Sequence, residues 1–340
     1  MKKYGTQARR LGRSGVIETE TKRVLIAGAS GFIGSNLARD LLAHEYEVHI
    51  AIRKTSNLWR LNDILPEIDN HYLNESSFLE FSYILESVKP DVLINAIGAE
   101  QMKNLGDEDR TWFGNFTILM NIAKAIRSSP NIFLLQSGSS FEYGRSSVNH
   151  NPLKEEIECD PVSEYGISKL LATEYLKYLG RNDKLSGAVL RIFNAYGKFE
   201  DKNRLIPYLI LKSLSGERIV LKNPSVSRDF VHISDIAEAF RSAIVNEDRL
   251  RDKLHIFNVG TGIFHSVEEV ANCVRRITRS NQTVEIERSD LRPENQIPGP
   301  LADINKATTL LGWKPKLTMD EGLKITAEWF REFRELYQNF

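Results

Sequence analysis

The chain has 340 residues, with 45 Lys+Arg against 45 Asp+Glu, 41% hydrophobic residues and two cysteines. That length allows one large domain or two modest ones, at about 100–200 residues each, and the near-average composition excludes wholesale disorder, collagen-like repeats and coiled coil. Zero net charge gives no global field for gripping a phosphate backbone, and Cys159 and Cys273 form no CxxC motif; the expectation is a cytoplasmic protein with no metal, no nucleic-acid partner and no membrane association.

Residues 1–21 are polar, with Lys2, Lys3, Arg9, Arg10 and Arg13 but no apolar stretch, so they read as a flexible extension and not as a secretory signal. Order is expected from Arg23. Val24–Ala27 is a continuous apolar run, and Val48–Ile52, Asp91–Ala96, Ile132–Gln136 and Val189–Phe193 follow in the same manner. Such runs suit strands buried on both faces of a parallel sheet. Between them, Phe32–His44, Phe78–Val88, Trp112–Ile126 and Ser168–Leu179 carry helical periodicity. The alternation predicts βαβ units and a doubly wound α/β fold. Beyond residue 195 the elements shorten and prolines punctuate them, as expected of a smaller second lobe ending in an amphipathic helix near Met319–Tyr337. The predicted organisation is an extension at 1–21, a dinucleotide-binding domain at 22–195 and a substrate lobe over most of 196–340.

The first strand runs straight into Gly28-Ala29-Ser30-Gly31-Phe32-Ile33-Gly34 at the start of the first helix. There Gly28 permits a tight turn, Gly31 lets backbone N–H groups approach a pyrophosphate, and Gly34 lets helix and strand pack closely. Tyr165 and Lys169 lie one helical turn apart, so both project from one face. A phenol with an ordinary pKa of about 10 is a poor acid–base group at neutral pH until a cation stabilises its phenolate; Lys169 is such a cation. At the end of the second strand, where folds that bind the unphosphorylated ribose place a carboxylate, Ile52 is followed by Arg53-Lys54-Thr55-Ser56-Asn57. Two cations and two hydroxyls there predict NADP(H).

These features, with Asn95-Ala-Ile-Gly98, Ser137-Gly-Ser-Ser140, Arg191-Ile-Phe-Asn194-Ala-Tyr-Gly197, Arg204-Leu-Ile-Pro207, Arg228-Asp-Phe-Val-His232-Ile-Ser-Asp235, Asn258-Val-Gly260 and Leu310-Leu-Gly-Trp313-Lys-Pro315, resemble the extended short-chain dehydrogenase/reductases over about residues 22–330. The best match is their nucleotide-sugar epimerase/dehydratase branch. The resemblance implies a Rossmann-type doubly wound parallel sheet with a smaller mixed α/β C-terminal lobe. It also implies a nucleotide-sugar substrate and a homodimer.

By position, it makes Ser139, Tyr165 and Lys169 catalytic. Gly28, Ser30, Gly31, Phe32, Ile33, Gly34, Arg53, Lys54, Ser56, Asn74, Asn95, Ala96, Gly98, Asn115, Tyr165 and Lys169 would hold the cofactor, and Ser139, Ser140, Asn194, Arg204, Arg228 and Arg292 the substrate. Asn194 could instead brace a turn, and Arg228 could pair with Asp229 at the surface. His232 reads as structural, and Ser266–Glu269 as a helix capping box.

Where related dehydratases carry an acid–base Asp–Glu pair, this chain has Ser140 and Phe141, and Phe141 also replaces the Glu of decarboxylating relatives. Glu142, one residue on, is expected across an extended segment from that site. Hydride transfer at a sugar carbon is what remains: reduction of a nucleotide-linked 4-keto-6-deoxy sugar for deoxysugar or surface polysaccharide synthesis, or NAD-dependent 4-epimerisation. A non-catalytic NADP-binding scaffold or sensor is the alternative that intact Ser139, Tyr165 and Lys169 disfavour.

Overall fold

All five apolar runs form strands of one sheet. The computed structural model describes residues 21–98, 108–129, 131–182, 185–251, 253–287 and 299–337; the predicted extension, apart from Thr21, lies outside them, as does Arg292. The strands are β1 (Arg23–Ala27), β2 (Glu47–Arg53), β3 (Asp69–Leu73), β4 (Val92–Asn95), β5 (Phe133–Ser139), β6 (Gly187–Ile192), β7 (Asn194–Tyr196), β8 (Ile219–Lys222), β9 (Ser227–His232), β10 (Leu254–Val259), β11 (Phe264–Ser266) and β12 (Val284–Glu287).

The main sheet has the order β10-β6-β5-β4-β1-β2-β3. Its register is parallel from β5 through β4, β1 and β2 to β3. Val24–Ala27 and Val92–Ile94 are wholly buried, the burial that an uninterrupted apolar run anticipates. Two strands of this sheet escape the sequence reading. β3 reads DNHYL and is largely exposed, because it lies at an edge. β10 joins the opposite edge from far along the chain, beyond the reach of a local pattern.

Two compact units interleave along the chain. Among the described residues, the first draws on the chain up to Ser137, Leu171–Val189 and Phe240–Ile256, and the second on Gly138–Leu170, Leu190–Ala239 and the chain from Phe257 onward. The core of the first gathers sheet residues such as Leu25, Leu93, Leu134 and Val189 with Phe81, Leu85, Leu119, Ile122 and Leu176 from helices. The segment expected as one helix over 112–126 is instead an α-turn (Glu108–Trp112), a π-segment (Phe113–Thr117) and an α-helix (Ile118–Ser128).

In the second unit β7 lies beside β9 and β9 beside β11, while β8 pairs with β12. The helices Leu205–Ser215, Val267–Thr278 and Met319–Phe333 pack together through their apolar faces. Two buried carboxylates tie the loops of this unit. Asp229 accepts the backbone N–H groups of Thr261 at 2.7 Å, Gly262 at 2.9 Å and Ala302 at 3.1 Å. Asp235 accepts those of Lys316 at 3.1 Å and Leu317 at 3.3 Å, and its own carbonyl takes Trp313 Nε1–H at 2.9 Å.

Candidate active site

In the first unit, the chain passes from β1 into the helix Phe32–Ala43 through the glycine turn. The position is where the sheet order reverses, β2 and β3 lying to one side of β1 and β4 onward to the other. In open α/β sheets ligands collect at such a switch point. Gly28 has φ +86°, and a Cβ there would stand 2.7–2.9 Å from Ala96 and Ile97 backbone atoms. A Cβ on Gly34 would meet the Gly28 carbonyl oxygen at 2.3 Å. Neither site admits a side chain. No side chain caps this helix, so its first-turn N–H groups stand ready for an anion. The donors and the helix dipole fit the diphosphate of a dinucleotide.

Around that turn, Ser30, Gly31, Phe32 and Ile33 are half-exposed. Arg60 stacks on Trp59, its guanidinium 4.5 Å from the ring, and donates from Nη1 to the Ser30 carbonyl at 3.5 Å. Sequence reasoning did not single out Arg60. Asn95 is buried, donating from Nδ2 to Gln136 at 2.8 Å and accepting Ile97 N–H at 3.1 Å; it shapes the loop that carries Ala96 and Gly98. Arg53 ends β2, and it, Lys54 and Asn74 are exposed while Ser56 is half-exposed. Asn115 is buried in the π-segment, a distortion that occurs frequently at functional sites.

In the second unit Ser139 closes β5 and Tyr165 and Lys169 lie in the first turns of the helix Glu164–Arg181. Lys169 Nζ stands 5.9 Å from the centre of the Tyr165 ring, and Phe141 meets that ring edge-on at 5.8 Å. Tyr165 is half-exposed; Ser139 and Lys169 are buried. Burial pushes the Lys169 ammonium down to about 8, with the Glu142 carboxylate opposing the shift.

A buried charge with a lowered pKa costs stability with a definite pH signature. Below about pH 8 Lys169 is charged both folded and unfolded, and the folded chain bears the whole desolvation cost. Between about 8 and the ordinary value of 10.5 only the unfolded chain keeps the proton, so the cost fades as pH rises. Lys169→Met should therefore raise the melting temperature most at pH 7 and progressively less toward pH 10.5. A gain independent of pH, or none, would show that the ammonium is not held at a cost.

The segment after Ser139 is not extended as expected. Ser140–Glu142 forms a 3₁₀ turn, and Glu142 turns inward to complete burial. Its carboxylate accepts Ser139 N–H at 2.9 Å and Arg191 Nε–H at 2.8 Å. The signal was in the sequence, since Ser139-Ser-Phe-Glu142 has the spacing of a capping box. Asn194 donates to the Asp229 carbonyl at 3.3 Å. Arg228 is half-buried and donates to the Ser227 carbonyl at 3.0 Å; Asp229, committed to the loop around Thr261, is not its ion-pair partner. Arg204 is exposed at the start of its helix. His232 is buried, accepting Ser234 N–H on Nδ1 at 3.2 Å with its ring against Tyr196, and burial drops its pKa to about 4. It is structural, as expected, and Ser266–Glu269 does form a capping box.

A parallel sheet opened at its switch point by a glycine turn defines the doubly wound dinucleotide-binding class. Within it, this chain belongs to the NAD dependent epimerase/dehydratase family, whose model matches residues 24–260. It is similar to a candidate UDP-glucose 4-epimerase of Methanocaldococcus jannaschii, 28% identical over 319 residues that cover 91% of this chain and 98% of that one. It is also similar to the dTDP-4-dehydro-6-deoxyglucose reductase of Escherichia coli, 24% identical over 318 residues, covering 88% and 95%. In structure it resembles the dTDP-glucose 4,6-dehydratase of Bacillus anthracis, solved in complex with NAD, with a TM-score of 0.83 at 20% identity and 94% and 99% coverage. The three carry names of three different reactions, so the choice among them falls to this chain's own residues. Among the described residues no helix is long and apolar enough to cross a membrane.

Proposed function

We propose that the chain is an NADPH-dependent reductase of a nucleotide-linked 4-keto-6-deoxy sugar. The observation that carries this reading is the end of β2, where Arg53 and Lys54 stand exposed and no carboxylate is present to meet a ribose 2′-hydroxyl. An open basic pair there suits a 2′-phosphate, and a reductase is the member of the family that gains from a reduced NADPH pool. Dehydration is disfavoured because Ser140 and Phe141 offer neither acid nor base.

A reduced nicotinamide bound there would supply hydride for the carbonyl carbon. Tyr165 then gives its phenolic proton to the carbonyl oxygen. Lys169, as a buried cation beside the ring, stabilises the phenolate that remains. Ser139 donates a hydrogen bond to the same oxygen. The glycine turn and the uncapped helix would hold the cofactor diphosphate, while Arg228, Asn194 and Arg204 of the second unit, with Arg292, would serve the phosphates and sugar of the substrate.

The second reading, an NAD-dependent 4-epimerase, draws on the somewhat higher identity to the archaeal candidate epimerase. The two differ in stoichiometry. Incubated with a 4-keto-6-deoxy nucleotide sugar, the enzyme should consume one NADPH per sugar reduced; product without NADPH consumption would transfer the assignment to the epimerase.

A further inference from the structure

Glu142 is an expensive residue to bury. Its carboxylate is wholly inaccessible, and a charge in that setting is tolerated only when paired and hydrogen-bonded. Both oxygens are engaged, one by Ser139 N–H and the other by Arg191 Nε–H. Arg191 is held in turn by the Glu155 carbonyl at 3.2 Å and lies 4.6 Å from the centre of the Tyr143 ring. If packing alone were needed, apolar side chains of similar volume would serve as well as this ion pair or better. Nor can Glu142 exchange protons with a substrate, because no part of it is accessible. What it does touch is the backbone of Ser139.

We propose that Glu142 is a positioning residue for Ser139, closing a capping box that aims the serine hydroxyl hydrogen at the substrate oxygen. The inference rests on the catalytic reading of Ser139 given above. The geometry runs in both directions. Glu142 anchors Ser139 N–H, and the Ser139 Oγ accepts Phe141 N–H at 3.2 Å. A hydroxyl has one hydrogen and two lone pairs. With a lone pair fixed on the Phe141 amide, the hydrogen must point away from the turn, which orients it to donate.

The test compares variants that keep or remove the acceptor for Ser139 N–H. Glu142→Gln keeps an oxygen there. Glu142→Met combined with Arg191→Met removes it without leaving a buried guanidinium unpaired. Keto-sugar reduction and melting temperature would be measured for each. The Met pair should lower kcat about 10–100-fold, the usual scale for a misplaced catalytic group, at unchanged KM and NADPH affinity, while the Gln variant keeps most of the wild-type kcat. In a Ser139→Ala background the Met pair should cost nothing further, because its effect passes through that hydroxyl. Equal kcat in the Gln and Met variants, or the same loss with and without Ser139, would overturn the proposal. Should the Met pair not fold, Glu142→Asp keeps the charge but shortens the reach; it is expected to lose kcat where Gln does not, and the reverse order would also overturn it. If Ser139→Ala alone leaves turnover intact, the catalytic reading of Ser139 is what fails, and the role of Glu142 falls with it.

Discussion

Tyr165→Phe should lower turnover by about 10²–10⁴, the usual worth of a general acid, while leaving the protein as stable as before. The substitution removes only the hydroxyl. The ring keeps its edge-on contact with Phe141, and Lys169 keeps its place 5.9 Å from the ring centre. NADPH affinity should therefore survive, and the loss should fall on kcat. Lys169→Ala is expected to behave differently. It removes the cation that makes the phenolate accessible and a group expected to hold the cofactor, so turnover and cofactor affinity should fall together. The pair of outcomes separates acid from support. Near-normal turnover in Tyr165→Phe would end the assignment of Tyr165 as proton donor. A fall in NADPH affinity matching the fall in kcat would mean that the tyrosine binds and does not catalyse.

The sequence reading places residues correctly where the structure is local. The glycine turn shows as three glycines between an apolar run and a helical period, and Tyr165 and Lys169 show as one helical turn. These depend on residues near one another in the chain, so spacing carries them. The reading falters where burial is set by distant segments. β3 is polar because an edge strand need not be apolar on both faces, and β10 enters the sheet from residues 254–259. The Glu142–Arg191 pair spans 49 positions and joins β6 to the turn after β5. No local pattern announces that both would be buried. The family motifs of the second unit divide likewise. In Arg228-Asp229-Phe-Val-His232-Ile-Ser-Asp235 the two aspartates fasten loops, at Thr261–Gly262 and Ala302 and at Lys316–Leu317, and His232 lies buried against Tyr196. Much of that motif therefore holds the unit together, and within it Arg228 alone is proposed to meet a ligand.

Arg53→Ala should weaken NADPH binding by about 1.5–3 kcal/mol, the range for a hydrogen bond to a charged group, or roughly 10–150-fold, and leave NADH almost untouched. The size follows from what the guanidinium would meet. An exposed pair of single charges is worth at most about 1 kcal/mol. A phosphate monoester, however, carries close to two negative charges at neutral pH, and a guanidinium can engage two of its oxygens at once. Arg53 is placed for this at the last residue of β2, exposed, with Lys54 beside it. Among the described residues neither side chain has an ion-pair partner to give up. Lys54→Ala should cost less, since an ammonium acts as a single point charge without the planar fork. NADH lacks the 2′-phosphate, so its affinity reads only the rest of the cofactor site and serves as the internal control. Measured for the wild type and both variants, the two affinities decide more than cofactor choice. A wild-type preference for NADPH that disappears in Arg53→Ala, with NADPH consumed as sugar is reduced, supports the reductase. Equal or tighter NADH binding by the wild type would remove the observation on which that reading stands and leave the epimerase in its place.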